Sequence, residues 1–346
     1  MRFLFVVAFL CSIQFVHATN YYFSSVSGDD SRTSTQAQNP ATPWKTLSKL
    51  NSFMSSLNAG DSILFKRGET FYGSIVITKS GTAANPIRFG AFGTGAKPVI
   101  SGFTTINSWT SLGSNIWESN IAASTLNSTN MVVVNGVNTA MGRYPNTGYL
   151  SYEAHTANTS ITDNQLASTP NWTGAEVVIK MTQWVINRSP ITSHVGTKIN
   201  YTSTDATYQP IDGFGYFIQN DIKTLDAQNE WYFDPSTRKI KIYSTSNPGT
   251  VQVASVDDLF TANSRSYITF DNLAFEGANS DALNLSYSSN IIIQNCDISF
   301  SGQDAIYCYP NAPGIIIQNC IINHSNNAGI NAATSANALI KNNTVN

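Results

Sequence analysis

The sequence predicts an all-β solenoid, a parallel β-helix capped by a helix at its start and interrupted by a β-rich insertion. Three observations predict it. The phrase IIIQNC begins at Ile291 and begins again at Ile315. ITFDNLAF from Ile268 and LIKNNTVN from Leu339 extend the same rhythm on either side. A second row repeats with it: DALNL from Asp281, DAIYC from Asp304 and AGINA from Ala328.

Self-similarity at a fixed period of about 20–50 residues marks a solenoid, and helical repeats need roughly 33 residues or more. The interval from Ile291 to Ile315 is shorter than that. Its content is strand-like, with short Ile/Leu/Phe runs set between Asn, Gly, Ser and Asp. Stacked rungs lie about 4.8 Å apart, so equal positions become columns. Ile268, Ile291, Ile315 and Leu339 form one inward column, and Phe270, Ile293 and Ile317 another. Asn272, Asn295, Asn319 and Asn343 share a bend, where each Asn is expected to bond its copy on the next rung. Cys296 and Cys320 occupy equivalent positions and are expected as stacked core thiols, with no disulfide.

The elements follow in order. Residues 1–18 carry one Arg, an apolar run and the ending Val16-His17-Ala18, a secretory signal cleaved after Ala18. Residues 19–58 form the cap: in 43–57, Trp44, Leu47, Leu50, Met54 and Leu57 fall on one helical face. Residues 59–130 hold the first coils, with SILF (62–65) aligned to PIRF (86–89) and SIVI (74–77) to PVIS (98–101). The period vanishes over 131–255, where strand-like runs such as MVVVNG and RKIKIY mark an inserted subdomain. Coils resume over 256–346 and are read as C-terminally incomplete, because a last rung at Asn346 leaves an open edge.

Composition narrows the partners. Charged residues are 12% of the 346, against about 25% in ordinary domains, and the net charge is −2. Without a basic patch, nucleic acid is not an expected partner. Beyond the signal no segment is apolar enough to span a bilayer. Asn, Ser and Thr supply the polarity, which suits a secreted solenoid whose turns bond locally, and the 15 Tyr could stack on the faces of a polysaccharide or oligosaccharide partner, with half-buried packing as the alternative. Composition says nothing of oligomeric state.

Asp281 and Asp304 are the candidate catalytic residues. Stacked one rung apart, two carboxylates repel, which raises one into the range of a general acid. Paired carboxylates are the equipment of glycosidases. The alternative is that each accepts backbone bonds in its turn. His324 is a candidate base or sugar donor, or a solvated turn residue. Tyr307 and Tyr309, two apart on a strand, face the same side and are expected outward as a sugar platform. Asp257 and Asp258 are read as turn carboxylates before a strand. No His/Cys spacing or acidic cluster suggests a metal site.

YYFSSVSGDD, NPATPWKTLSKLN and LNAGDSILFKRGETFYG resemble the N-terminal coils of secreted bacterial right-handed parallel β-helix proteins of the pectate-lyase-like superfamily. VNGVNTAMGRYPN (134–146) and NEWYFDPSTRKIKIY (229–243) are similar to segments of its glycoside-hydrolase-like subgroup, which carries an inserted β-domain. The resemblance implies a right-handed helix, an extracellular or periplasmic location and action on polysaccharide. It makes Arg143 a candidate for bonding a substrate hydroxyl or carboxylate, with a structural salt bridge as the alternative. Trp184 and Trp231 become candidates for lining a groove, with packing as the alternative. The first expectation is a glycoside hydrolase without cofactor. A polysaccharide lyase, to which alone Ca2+ would belong, is the second. A non-catalytic glycan-binding surface protein is the third.

Overall fold

The computed structural model describes residues 18–204 and 207–346. The signal segment therefore lies, except for Ala18, outside the described residues. Among those described, three parallel sheets wind into a β-helix. The first has seven strands: Asn20–Phe23, Ser62–Lys66, Ile87–Phe92, Ser266–Asp271, Ser289–Gln294, Ile316–Gln318 and Leu339–Lys341. The second has six, from Thr70–Tyr72 to Thr344–Val345, and the third five short ones, from Ile75–Val76 to Ile330–Asn331.

Register converts the sequence period into columns. Ile268 pairs with Ile291, and Phe270 with Ile293, which pairs in turn with Ile317. Their side chains are fully buried in one continuous core. Within it Phe89 stacks on Phe270 with ring centroids 5.7 Å apart, and Phe260 meets Phe270 edge-on at 4.4 Å. Cys296, Cys308 and Cys320 are buried free thiols.

The asparagine column is real, but its chemistry differs from the expected ladder. Asn272, Asn295 and Asn319 have φ of 61°, 55° and 56°, the left-handed bend that Asn tolerates better than most residues. Each N–H donates to the next rung, to Gln294 O, Gln318 O and Lys341 O at 3.3, 3.1 and 3.3 Å. The side-chain Nδ2 groups of Asn272 and Asn295 both donate to Asp271 Oδ1, at 2.9 and 2.8 Å. The amide-to-amide link is instead Gln318 Nε2 to Gln294 Oε1, 2.9 Å. The fourth member is Asn342, with φ 55°, and not Asn343, because Ile317 pairs with Ile340, one position off the sequence alignment. Asn343 binds the preceding rung, accepting from Cys320 N–H at 2.9 Å and donating to Ile317 O at 2.9 Å.

The early coils follow another rhythm. Ile63 pairs with Phe89 and not with Ile87, so the sequence alignment of these strands is two positions out. Phe71 pairs with Ile100 across a still longer interval. Ile75 lies on the third sheet beside Phe260, so SIVI and PVIS are not equivalent. Longer turns shift these strands, and apolar runs alone do not reveal turn length.

The cap agrees with the helical face. A helix over Leu47–Phe53 continues as a 3-10 turn to Ser56, and Trp44, Leu47, Leu50, Met54 and Leu57 are all buried. Thr46 caps it, its hydroxyl accepting Lys49 N–H at 3.1 Å. Strand Asn20–Phe23 within the cap segment already pairs in parallel with Ser62–Lys66.

The insertion starts earlier than the loss of period suggests. Phe103–Ile106 pairs antiparallel with Val251–Ala254, and Trp109–Gly113 and Ile116–Ser119 join the sheet of Trp231–Asp234 and Lys239–Tyr243. The coil is left at Gly102 and regained at Ser255, whose N–H donates to Gly102 O at 2.9 Å. A Cβ on Gly102 would sit 2.5 Å from Gly277 O, so the junction closes only around glycine. The stretch 103–130 contains strands but has no copy one period away, which is why the boundary at 131 falls inside the insertion. The insertion's largest sheet has eight strands and its own core around Trp172, Tyr152, Ile179 and Tyr216.

Replacing Asn295 by Val puts a β-branched side chain at positive φ and should cost about 1–3 kcal/mol. Asn295→Gly keeps the bend and loses only the bond to Asp271, so the midpoint of urea unfolding should fall less.

Candidate functional site

The third sheet positions the candidate carboxylates. Phe260–Thr261, Leu283–Asn284, Ile306–Tyr307 and Ile330–Asn331 stack in register. Two positions before each strand stand Asp258, Asp281, Asp304 and Ala328. The backbone N–H at this corner points along the helix axis, and the carboxylate of the rung below receives it. Asp281 N–H donates to Asp258 Oδ1 at 3.1 Å, Asp304 N–H to Asp281 Oδ1 at 3.1 Å, and Ala328 N–H to Asp304 Oδ1 at 3.0 Å. The two sequence candidates are thus brought together, as members of a three-carboxylate column. Asp258 is a turn carboxylate before its strand, as expected, and is also the third member of the column; it stands one period before Asp281, and the period alone could have shown that.

The three carboxylates are not equivalent. Asp258 Oδ2 accepts from Asn284 Nδ2 at 3.0 Å. Asp304 Oδ2 accepts from Asn331 Nδ2 at 3.0 Å, and its Oδ1 also from Asn327 Nδ2 at 2.7 Å. At the middle rung the column Asn284, Tyr307, Asn331 places a tyrosine where the other two have an amide. Among the described residues nothing donates to Asp281 Oδ2. Burial pushes the Asp281 carboxyl up to about 7, with Asp258 and Asp304 adding repulsion and the single Asp304 N–H opposing it. Asp258 is raised by burial as well.

Tyr307 is half-buried on the outer side, while Cys308 next to it is in the core. Its ring meets Tyr309 edge-on at 6.3 Å, and Tyr309 and Tyr287 are exposed. Burial, then the nearby Asp281 and Asp304, raise the Tyr307 phenol.

The remaining candidates lie elsewhere. His324 is on the second sheet, exposed, and stacked on Phe300 with centroids 4.9 Å apart. Its φ of 58° repeats that of Phe300 one rung below, so it continues an aromatic column and does not join the aspartates. Among the described residues Arg143 has no salt-bridge partner. Its Nε donates to Pro145 O at 3.0 Å, its Nη2 to Gly148 O, and its guanidinium lies 3.8 Å from the Phe217 ring centroid. Trp231 is buried, donating to Thr139 O at 2.9 Å. Trp184 is 74% exposed on the hairpin between Glu176–Lys180 and Ile186–Val195, so packing does not account for it. Among the described residues no three His, Cys, Asp or Glu are grouped to hold a metal ion. No helix there is long and apolar enough to cross a membrane.

Two cavities open on the insertion. One, of about 490 Å³, lies against the coils, between Asn138, Arg188, Gln219 and Trp231 on one side and Gly302 and Asn326 on the other. The second, of about 660 Å³, includes Tyr149, Lys180, Trp184, Ile186 and Phe217.

Residues 238–346 match the family described as the right handed beta helix region. The chain has the right-handed parallel β-helix fold. It is similar to a glycoside hydrolase of known structure, 16% identical, with a TM-score of 0.68 over 89% of this chain and 67% of that one. It also aligns with the structure of XylC in complex with xylose, 14% identical, TM-score 0.47, over 94% of this β-helix chain and 58% of that one. In sequence, 87 residues are 39% identical to lacto-N-biosidase of Bifidobacterium longum subsp. longum. That stretch is 24% of this chain and 5% of the relative's length.

A carboxyl raised by folding is more protonated in the native state than in the unfolded chain. Its stabilisation is complete below about pH 4 and is lost as pH rises to about 7, on the order of 2–4 kcal/mol over that window once solvent screening is allowed for. Asp281→Asn should abolish this slope in unfolding measured from pH 4 to 8. Tyr307→Asn supplies the amide that Asp258 and Asp304 already have, and should lower the Asp281 pKa by about one unit or more, read from its carboxyl 13C shift.

Proposed function

We propose that this β-helix is a secreted glycoside hydrolase that takes an oligosaccharide across the outer side of its third sheet, with Asp281 as proton donor. The observation that carries the proposal is the Asp281 carboxyl itself. Raised to about 7 and with one oxygen undonated, it holds a proton near neutral pH beside Tyr307. A general acid works best with a pKa near the operating pH. Tyr287, Tyr307 and Tyr309 offer ring faces to a sugar, and the local likeness to lacto-N-biosidase agrees with such a substrate class.

Asp304 takes the role of fixed carboxylate. Asn327, Ala328 N–H and Asn331 hold it one rung away, about 4.8 Å along the axis by strand spacing. That is close to the separation of about 5–5.5 Å found in retaining glycosidases. As the C1–O bond breaks, the Asp281 proton passes to the leaving oxygen and Asp304 bonds the anomeric carbon; water, giving a proton back to Asp281, then displaces Asp304 and releases the sugar.

A second reading, a non-catalytic glycan-binding face, is favoured by one observation. Asp258, Asp281 and Asp304 all spend an oxygen on the next rung's N–H, which is a structural duty.

Reducing-end release from a panel of oligosaccharides separates the two, and absorbance of unsaturated uronate detects elimination. The hydrolase predicts that Asp281→Asn lowers turnover by about 10²–10⁴-fold. Its rate should also fall above about pH 7 as Asp281 loses its proton. Glycan binding without turnover in the unsubstituted protein supports the second reading instead.

A further inference from the structure

The eight-stranded sheet of the insertion has two different faces. Val177, Ile179, Tyr216 and Ile218 point into its buried core. Strand alternation puts Glu176, Val178 and Lys180 on the opposite face, with Gly215, Phe217 and Gln219 of the neighbouring strand. Both cavities open there. Arg188 and Gln219 border the smaller one, and Val178, Lys180, Ile186 and Phe217 the larger. Pairing makes these residues neighbours: Glu176 with Gln219, Val178 with Phe217 and Arg188, Lys180 with Ile186. The cavities are therefore two ends of one strip, about 13 Å long from residue 176 to 180 by strand rise.

The far end is aromatic. Trp184 and Tyr149 are 74% and 64% exposed, a poor use of large rings unless something covers them. The Arg143 guanidinium, tied to the carbonyls of Pro145 and Gly148, lies 3.8 Å from the Phe217 centroid and 5.5 Å from that of Tyr149. It fixes both rings before any ligand arrives. The near end is polar without excess charge. Arg188 donates to Glu176 Oε2 at 2.8 Å and to Asn130 Oδ1 at 2.8 Å, and Gln219 donates to Glu176 Oε2 at 3.0 Å. Asn138 and Asn326 complete that end with amides. The larger cavity, about 660 Å³, lies within the roughly 300–1,000 Å³ of ligand sites.

We propose that this strip is a second saccharide site, binding a neutral oligosaccharide with one ring over Trp184 and the next units running toward Gln219 and Arg188. Apolar ring faces meet the aromatic end, and hydroxyls meet the amides. At the near end Arg188 is paired with Glu176 and is no free cation for an acidic sugar, and at the far end the Lys180 ammonium lies over the Phe214 ring, 5.2 Å from its centroid. The site is built wholly from the insertion and the coil edge it faces, and does not depend on the role given to Asp281.

The test is calorimetric titration of the whole chain with neutral di- to hexasaccharides and, separately, with oligouronates. Neutral saccharides should bind, and Trp184→Ala should weaken them about tenfold or more. The thermal midpoint should not change, because the exposed Trp184 ring buries little. Asp281→Asn should leave this binding intact. Unchanged affinity in Trp184→Ala, preference for uronates, or no saccharide binding overturns the proposal. Turnover lost only in Asp281→Asn, with binding indifferent to Trp184, sinks this site and leaves the hydrolase standing.

Discussion

The structure depends on hydrogen bonds that run along the helix axis from each rung to the next. They hold successive turns of chain in register, so a residue's neighbours are its copies. Ile over Ile and Phe over Phe then build the core, which the cap helix joins at its start. The corners must also pass their backbone N–H groups to a neighbouring rung, up at the asparagine bend and down at the aspartate corner, and the corner residues suit that. Asn at positive φ makes the bend of the first sheet, and Asp before the third sheet takes the N–H that the ladder leaves over.

The same constraint creates the candidate site. A column of acceptors along one corner places carboxylates close together at low exposure. Two of the three are satisfied by a following Asn, and the middle one is not. At the middle rung the adjacent column carries Tyr307 in place of Asn, and burial, with repulsion from Asp258 and Asp304, raises the Asp281 carboxyl to about 7.

The insertion obeys different physics. Its strands are antiparallel, carry a separate core, and expose one face that no coil stacks on. It leaves and rejoins the helix within a single coil, at Gly102 and Ser255. A sheet face released from stacking can be furnished with large rings and amides, as the strip from Trp184 to Gln219 is.

The sequence by itself determined the solenoid, its inward columns as far as Ile315 and Ile317, the capping face from Trp44 to Leu57 and the adjacency of Asp281 and Asp304; Leu339, exposed and opposite Ile316, falls outside its expected column. A repeated length is a local property, and stacking translates it directly into space. Only the tertiary structure decided the rest. Turns of unequal length moved Ile63 opposite Phe89 and Asn342 into the column in place of Asn343. The fates of Arg143, Trp184 and His324 were set by contacts with Phe217, with solvent and with Phe300. The contact of Arg143 with Phe217 joins segments with no common period, and only the folded chain brings those segments together.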